Sequence, residues 1–309
     1  MYEHVHNILN SIDEPFADSS AIAVYILSKE TRKHATVALS GDGADELLGG
    51  YNKHVAFYRA LHRGWKETAA TTMGPLWSLL PKSRHAPFSN TIRQLDRYAK
   101  GANLSSRDRY WRWASLATET HANGLLKPEI KQLLFRQEYA DRRNELLSTI
   151  PAKESMNDIF LTDMQMVLAN DMLTKVDKMS MANSLEVRAP FLDFELVNFA
   201  FSLPDQYKID GSIRKKILQD SFRDMLPPEL YNRPKKGFEV PLLKWLRGEM
   251  KSTIQKDLLS ESMIQEQGIF DYREIRKLRR KLFALSPGDI HARMWGLIVF
   301  QWWWKKFIG

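Results

Sequence analysis

The chain has 309 residues, 44% hydrophobic and 27% charged, with no cysteine and a formal charge of +8 from 45 Lys and Arg against 37 Asp and Glu. Such a composition is globular and excludes disorder, collagen-like repeats and coiled-coil arrays, while the lack of cysteine excludes disulfides, thiolate zinc sites and thiol nucleophiles. The apolar stretch Trp295 to Trp304 falls well short of the ~20 residues that cross a bilayer, and Met1-Tyr-Glu-His-Val-His lacks the basic region and apolar stretch of a secretory signal, so no membrane partner is expected and the cytoplasm is the default location.

In chain order, the segment up to Ser28 reads as helix and loop, and Ala35 to Leu39 is a short apolar run with β-branched residues, a candidate buried strand. Ser40-Gly-Asp-Gly breaks that run, and Ala44 to Leu48 restarts a helix that stops at Gly49-Gly50. From residue 51 onward the text is almost wholly helical, punctuated by Gly74-Pro75, Pro81, Pro87, Pro128 and Pro151. Arg273 to Lys281 reads as a basic amphipathic helix with Ile275, Leu278 and Leu282 on its apolar side. Its charge favours anionic partners, but no zinc-finger spacing, RNP-type strand or GxxG clamp is present, and no nucleic-acid partner is expected. A single parallel strand has nothing to satisfy its ladder, so this inventory implies a sheet completed from elsewhere.

Three segments carry chemistry. In Ser40-Gly41-Asp42-Gly43-Ala44-Asp45-Glu46-Leu47-Leu48-Gly49-Gly50-Tyr51, no Lys follows Gly49 and Glu46 stands where a third Rossmann glycine belongs, so both standard phosphate loops are excluded. Three carboxylates beside glycines suit Mg²⁺ held against phosphate; the structural alternative is a glycine turn with Asp42 as helix N-cap and Glu46 near the third helical position. In Asn170 to Asp193, a helix would place Asp171, Lys175 and Lys178 on one face and carry Glu186 near its end, where Arg188 and Pro190 leave it; the alternative is a structural ion-pair network. Asn232-Arg-Pro-Lys235-Lys-Gly-Phe238 is a punctuated loop that offers cations, as many solvated loops do.

Taken in order, Asp13-Glu-Pro-Phe-Ala-Asp-Ser-Ser20, VALSGDGADELLGGY, LTKVDKMSMANSLEVRAPFLD and RPKKGFEVPL resemble the synthetase domain of glutamine-dependent asparagine synthetases over almost the whole chain. The resemblance implies an α/β, predominantly helical fold: one domain over residues 1–309 that is the C-terminal part of an adenine nucleotide alpha hydrolase-like (ATP pyrophosphatase) domain with few parallel strands remaining. It implies ATP and Mg²⁺ as cofactors, aspartate as the carboxylate that is adenylated, and ammonia as the nucleophile that displaces AMP to give asparagine. By resemblance, Ser40, Gly41 and Gly43 contact the nucleotide and Asp45 binds Mg²⁺ and pyrophosphate oxygens. Asp42 stands where an acid takes a proton from ammonium, Lys235 where a lysine stabilises the adenylation transition state, and Asp18, Asp171, Lys175, Asp177, Glu186 and Arg188 support the site or face the substrate.

The family's glutaminase domain, with its leading cysteine, and its S-G-G-x-D-S loop belong upstream of Asp13, and neither motif occurs in these 309 residues. The expectation is therefore a C-terminal portion that does not hydrolyse glutamine, receives ammonia from a domain absent here, and is inactive alone. Its exposed sheet edge would be covered by a homodimer partner or by its own tail. Two rivals are a relative that adenylates another carboxylate and a non-catalytic basic helical module. Among the former are β-lactam synthetases, where the Asp42 position is expected to hold tyrosine, and amidotransferases of cell-surface polysaccharide.

Overall fold

The computed structural model describes residues 2–82, 87–134, 137–211, 213–231, 237, 238, 240–285 and 287–309. The fold is mostly helical, with one parallel pair of strands and one short antiparallel pair among the described residues. Strand β1, Val37–Leu39, does have a parallel partner, β2, Glu186–Arg188, in the register Val37 to Glu186 and Leu39 to Arg188. This corrects the reading of Glu186 as a helix end. Helix Thr174–Met181 stops at Ala182, Ser184 turns the chain through φ 57°, and the next three residues extend beside β1. The Asn183 amide fixes the turn by donating to the carbonyls of Met179 and Tyr25, which ties the helix end to helix Ala21–Arg32.

Nor is β1 a buried strand: Val37 is 40% and Leu39 73% exposed, because no described element packs on the face that carries them. Parallel pairs are usually covered on both faces, so this one is an exception. A second pair, Ile209–Asp210 with Ile213–Arg214, forms a hairpin that delivers Lys215 to the site in a left-handed conformation, φ 50°.

Three apolar clusters hold the helices. The first joins helices Val5–Asn10, Ala21–Arg32, Leu242–Arg247 and Ile290–Phe307 around Ile22, Trp295 and Ile298. The second packs Phe57, Tyr110, Trp113, Ile159 and Phe160; the third, small, sets Leu47 and Leu48 of helix Ala44–Leu48 against Ala200. Helix Tyr272–Leu282 is amphipathic as its spacing predicts, with Ile275 and Leu282 buried. The tail does not cover the β1 edge. Its Trp302 and Trp303 indoles and Lys306 ammonium donate instead to Asn10, the last residue of helix Val5–Asn10, and to Asp13 in the loop that follows. Among the described residues, no helix is long and apolar enough to cross a membrane.

Candidate active site

The glycine turn follows directly from β1. The Ser40 N–H donates to the Arg188 carbonyl at 2.8 Å, extending the β ladder by one bond, and the Asp42 N–H donates to the Ser40 hydroxyl at 3.4 Å. Gly43 then opens helix Ala44–Leu48 at φ 90°, where a Cβ would strike the Leu192 side chain, so only glycine fits. Asp42 is therefore not the N-cap. Gly43 holds that position without a side-chain bond, and Asp42 stays half-buried beside the turn. Asp45 lies one turn in, its carboxylate 2.7 Å from the Lys215 ammonium. Gly50 sits against the same pair, and a Cβ there would run into the Asp45 carboxylate and the Lys215 Cε.

Glu46 does not serve as a capping partner either. It is buried, its carboxyl is pushed up from the usual range by burial, and it accepts the Tyr51 hydroxyl at 2.5 Å. The Tyr51 N–H donates to His54 Nδ1 at 3.3 Å, which leaves the proton of a neutral ring on Nε2 to bond Asp163 at 2.6 Å. Burial favours that neutral ring by lowering the His54 pKa. Asp163 also accepts from Lys53 at 2.6 Å and from the Tyr110 hydroxyl. Burial pushes the Asp163 carboxyl up, but Lys53 and His54 outweigh it and hold the group at about 2. The turn from Ser40 to Tyr51 thus stands on a buried relay of Glu46, Tyr51, His54, Asp163, Lys53 and Tyr110, of which the last four were not singled out from sequence. The one available signal was a carboxylate inside the apolar text Ile159-Phe-Leu-Thr-Asp163-Met-Gln-Met, since a buried charge needs partners.

A second polar cluster forms where helix Thr174–Met181 meets the loop of residues 13–20. As the shared helix face predicts, Lys175 reaches Asp18 at 2.7 Å and Lys178 pairs with Asp13. Asp18 is further fixed by the Ser20 N–H at 2.9 Å and hydroxyl at 2.6 Å. Burial alone would raise the Asp18 carboxyl, but Lys175 and Ser20 hold it below the usual range. Asp171 belongs to the preceding π-helical turns, Met164–Leu173, a geometry that often marks functional positions. Burial and then the charge of Asp18 push its carboxyl up to about 6.

The sign of that shift is testable. Between about pH 4 and 6 the folded chain keeps a proton on Asp171 that the unfolded chain has released, so this group makes stability fall as pH rises, with the full penalty present above 6. Asp171→Asn removes the ionisation and is expected to raise the unfolding free energy at pH 7 by on the order of 1–3 kcal/mol, an advantage that disappears below about pH 4. Urea titrations at the two pH values measure it; an equal effect at both would contradict the assignment.

Not every candidate residue converges. Asp177 is exposed on the other side of its helix. Glu186 and Arg188 form an exposed pair at 2.8 Å along β2, so Arg188 touches the turn only through its carbonyl. Lys235 lies outside the described residues. Among the described residues, no three His, Asp or Glu side chains gather as a metal cage. Mg²⁺ at polyphosphate sites needs only one or two carboxylates, the phosphates and water supplying the rest, and Asp45 with Asp42 nearby suits that mode. A cleft of about 990 Å³ opens from the Asp18 and Asp171 cluster, with Ser19 and Asn170 also at that end.

A glycine turn between a parallel strand and a helix, with carboxylates and lysines gathered behind it, places the chain among helical α/β proteins. A family model described as Asparagine synthase matches residues 1–305, and the chain belongs to that family. It is 31% identical over 297 residues to asparagine synthetase [glutamine-hydrolyzing] 1 of Bacillus subtilis, a match covering 94% of this chain and 44% of that protein. It is 29% identical over 308 residues to a putative asparagine synthetase of Mycobacterium bovis, covering 96% of this chain and 43% of the relative. A shorter match, 28% identical over 114 residues, covers 35% of this chain and 17% of a Penicillium rubens protein named amidase chyE. The chain therefore spans less than half the length of the two synthetases.

Proposed function

We propose that this chain carries the carboxylate-activating part of an ATP-dependent amidotransferase, the nucleotide end of an adenine nucleotide alpha hydrolase-like site. An oxygen of the aspartate side-chain carboxylate attacks the α-phosphorus of ATP and pyrophosphate leaves. Ammonia then attacks the acyl carbon, loses a proton, and AMP departs with the carboxylate oxygen to leave asparagine. The observation that carries this reading is the glycine turn. It sets Asp45 against the bare backbone of Gly50, with the Lys215 ammonium 2.7 Å away as the cation that holds the carboxylate in place, and keeps Asp42 half-buried beside the turn.

In this reading Ser40, Gly41 and Gly43 contact the nucleotide and Asp45 holds Mg²⁺, which when bound neutralises charge on the phosphates. Asp42 takes the proton from the attacking ammonium, and Lys235 steadies the pentavalent transition state. Asp18, Asp171 and Lys175 form the substrate end, while Asp177, Glu186 and Arg188 are left as outer support. The 309-residue polypeptide contains no S-G-G-x-D-S loop and is expected not to turn over alone.

A second reading, amidation of a larger acid, is supported by the cleft, whose volume of about 990 Å³ lies at the top of the ~300–1,000 Å³ that small-molecule sites span. The test is isotopic: a polypeptide that joins this chain to an S-G-G-x-D-S loop is supplied with ¹⁸O-carboxylate aspartate, ATP, Mg²⁺ and ammonia. One ¹⁸O in AMP together with asparagine is expected. Label in inorganic phosphate alongside ADP would reject adenylation, and labelled AMP from a different acid but not from aspartate would select the second reading.

A further inference from the structure

Beyond the Asp18 and Asp171 end, the cleft changes character. Its walls carry an excess of cations over the two carboxylates there, Asp96 and Asp289, and are contributed largely by helices Pro87–Ala102, Ser106–Ala114, Tyr272–Leu282 and Ile290–Phe307; Asp96 is taken up by Lys82 and Lys100. Two arginines there are held in place: Arg97 donates to the Trp113 carbonyl at 2.6 Å, and Arg93 donates to the Asn90 amide oxygen at 2.8 and 3.1 Å and pairs with Asp289 at 3.4 Å. Three more cations, Arg112, Lys281 and Arg293, have no carboxylate within ion-pair distance among the described residues. Lys281 belongs to the basic helix that sequence alone marked out and that the adenylation chemistry does not use.

Like charges gathered in a concave, partly desolvated wall repel one another and focus a positive potential into the cleft, a cost that a bound anion relieves. His121 senses that potential: burial and then Arg293, Arg112 and Lys281 hold its imidazolium pKa below the ordinary value. At the opposite end Asp18 and Asp171 are poor neighbours for an anion unless the group placed there is being activated or Asp171 keeps its proton. The two ends therefore differ in what they accept, within one continuous volume.

We infer that the arginine-lined end of this cleft binds a second anionic group, a phosphate or a carboxylate, on the same acid whose carboxylate is activated at the Asp18 and Asp171 end. The inference rests on the reading of this chain as carboxylate-activating and narrows its substrate class to acids with two separated anionic groups. Arg112 and Arg293 are the specificity-determining contacts, since guanidinium forks bind either group bidentately.

Calorimetric titration of the 309-residue chain at low salt tests it, with gluconate, 6-phosphogluconate, digalacturonate and inorganic pyrophosphate as probes. One of the two doubly anionic acids is expected to bind at least tenfold tighter than gluconate, and which one identifies the second group as phosphate or carboxylate. Arg112→Gln and Arg293→Gln should each remove most of that difference, while circular dichroism and the response to Mg-ATP stay as in the unaltered chain. Equal binding of gluconate and both doubly anionic acids would overturn the proposal, as would variants that bind them undiminished, or pyrophosphate outcompeting every acid. A metal-dependent ATP response beside a silent cleft would leave the adenylation reading standing and sink this one. An arginine-dependent response to the diacids without any response to Mg-ATP would do the reverse.

Discussion

Asp163→Ala is expected to lower the unfolding free energy by about 3–5 kcal/mol, the largest effect of any single substitution near the site. Its carboxylate and His54 are both fully buried, and Lys53 and the Tyr110 hydroxyl complete the set of donors. Alanine leaves a cation, an imidazole N–H and a phenol facing a void that water does not reach freely, and each unsatisfied donor costs ~1–3 kcal/mol, more for the charge. Asp163→Asn keeps an acceptor and should lose less, though Lys53 is then uncompensated.

The pH dependence has a defined sign. A folded-state pKa of about 2, depressed from 3.8, contributes stability that is fully present above about pH 4 and lost as pH falls through 2. The wild-type advantage over Asp163→Ala should therefore shrink in acid. His54, with its pKa lowered by burial, adds to the same acid limb, because the unfolded chain takes up its proton as pH drops below about 6.5. Urea unfolding of both proteins at pH 7 and pH 2.5 is the measurement. A loss under 1 kcal/mol at pH 7 would show that the relay is not closed. The effect also reaches function: the His54 ring that Asp163 orients accepts the Tyr51 N–H at the end of the glycine turn.

What could be read from sequence was local. The order strand, glycine turn, helix came from a β-branched run, two glycines and a short apolar restart, and the helix occupies Ala44–Leu48 with Gly49 closing it at φ 74°. The basic amphipathic helix was equally legible because a period of three and four survives any tertiary context. β2 was not legible: three residues, Glu-Val-Arg, are too few to establish an alternation, and the helix signal before them continues smoothly into Ser184. The exposure of Val37 and Leu39 was missed for another reason, since apolar character says what a strand can bury and not what is there to cover it.

The polar relay was hidden by distance along the chain. Lys53 and His54 meet Asp163 across 110 and 109 residues, and Lys175 meets Asp18 across 157. Such pairs leave no periodic trace; Asp18 was reached only through the family resemblance of its segment, and helical spacing marked Lys175 without naming its partner. Glu46 shows the opposite failure. Its spacing from the turn suggested a cap, but packing of Leu47 and Leu48 against Ala200 turns the residue inward, where it accepts the Tyr51 hydroxyl.

In the proposed reading the turn from Ser40 to Tyr51 is a preformed half of a magnesium nucleotide site with Asp45 as its metal carboxylate. Asp45→Ala tests it with little structural disturbance, because Asp45 pairs with the half-exposed Lys215, and partly exposed pairs contribute only ~0–1 kcal/mol to stability. Loss of the one carboxylate that receives the metal should instead remove binding outright. The measurement is calorimetric titration of the 309-residue chain and its Asp45→Ala variant with Mg-pyrophosphate and Mg-ATP, each repeated with the metal chelated. Binding is expected to need the metal, to be at least as strong for pyrophosphate relative to its size as for ATP, and to drop by 100-fold or more, roughly 3 kcal/mol, in the variant. Metal-dependent binding of equal strength in Asp45→Ala would contradict that reading.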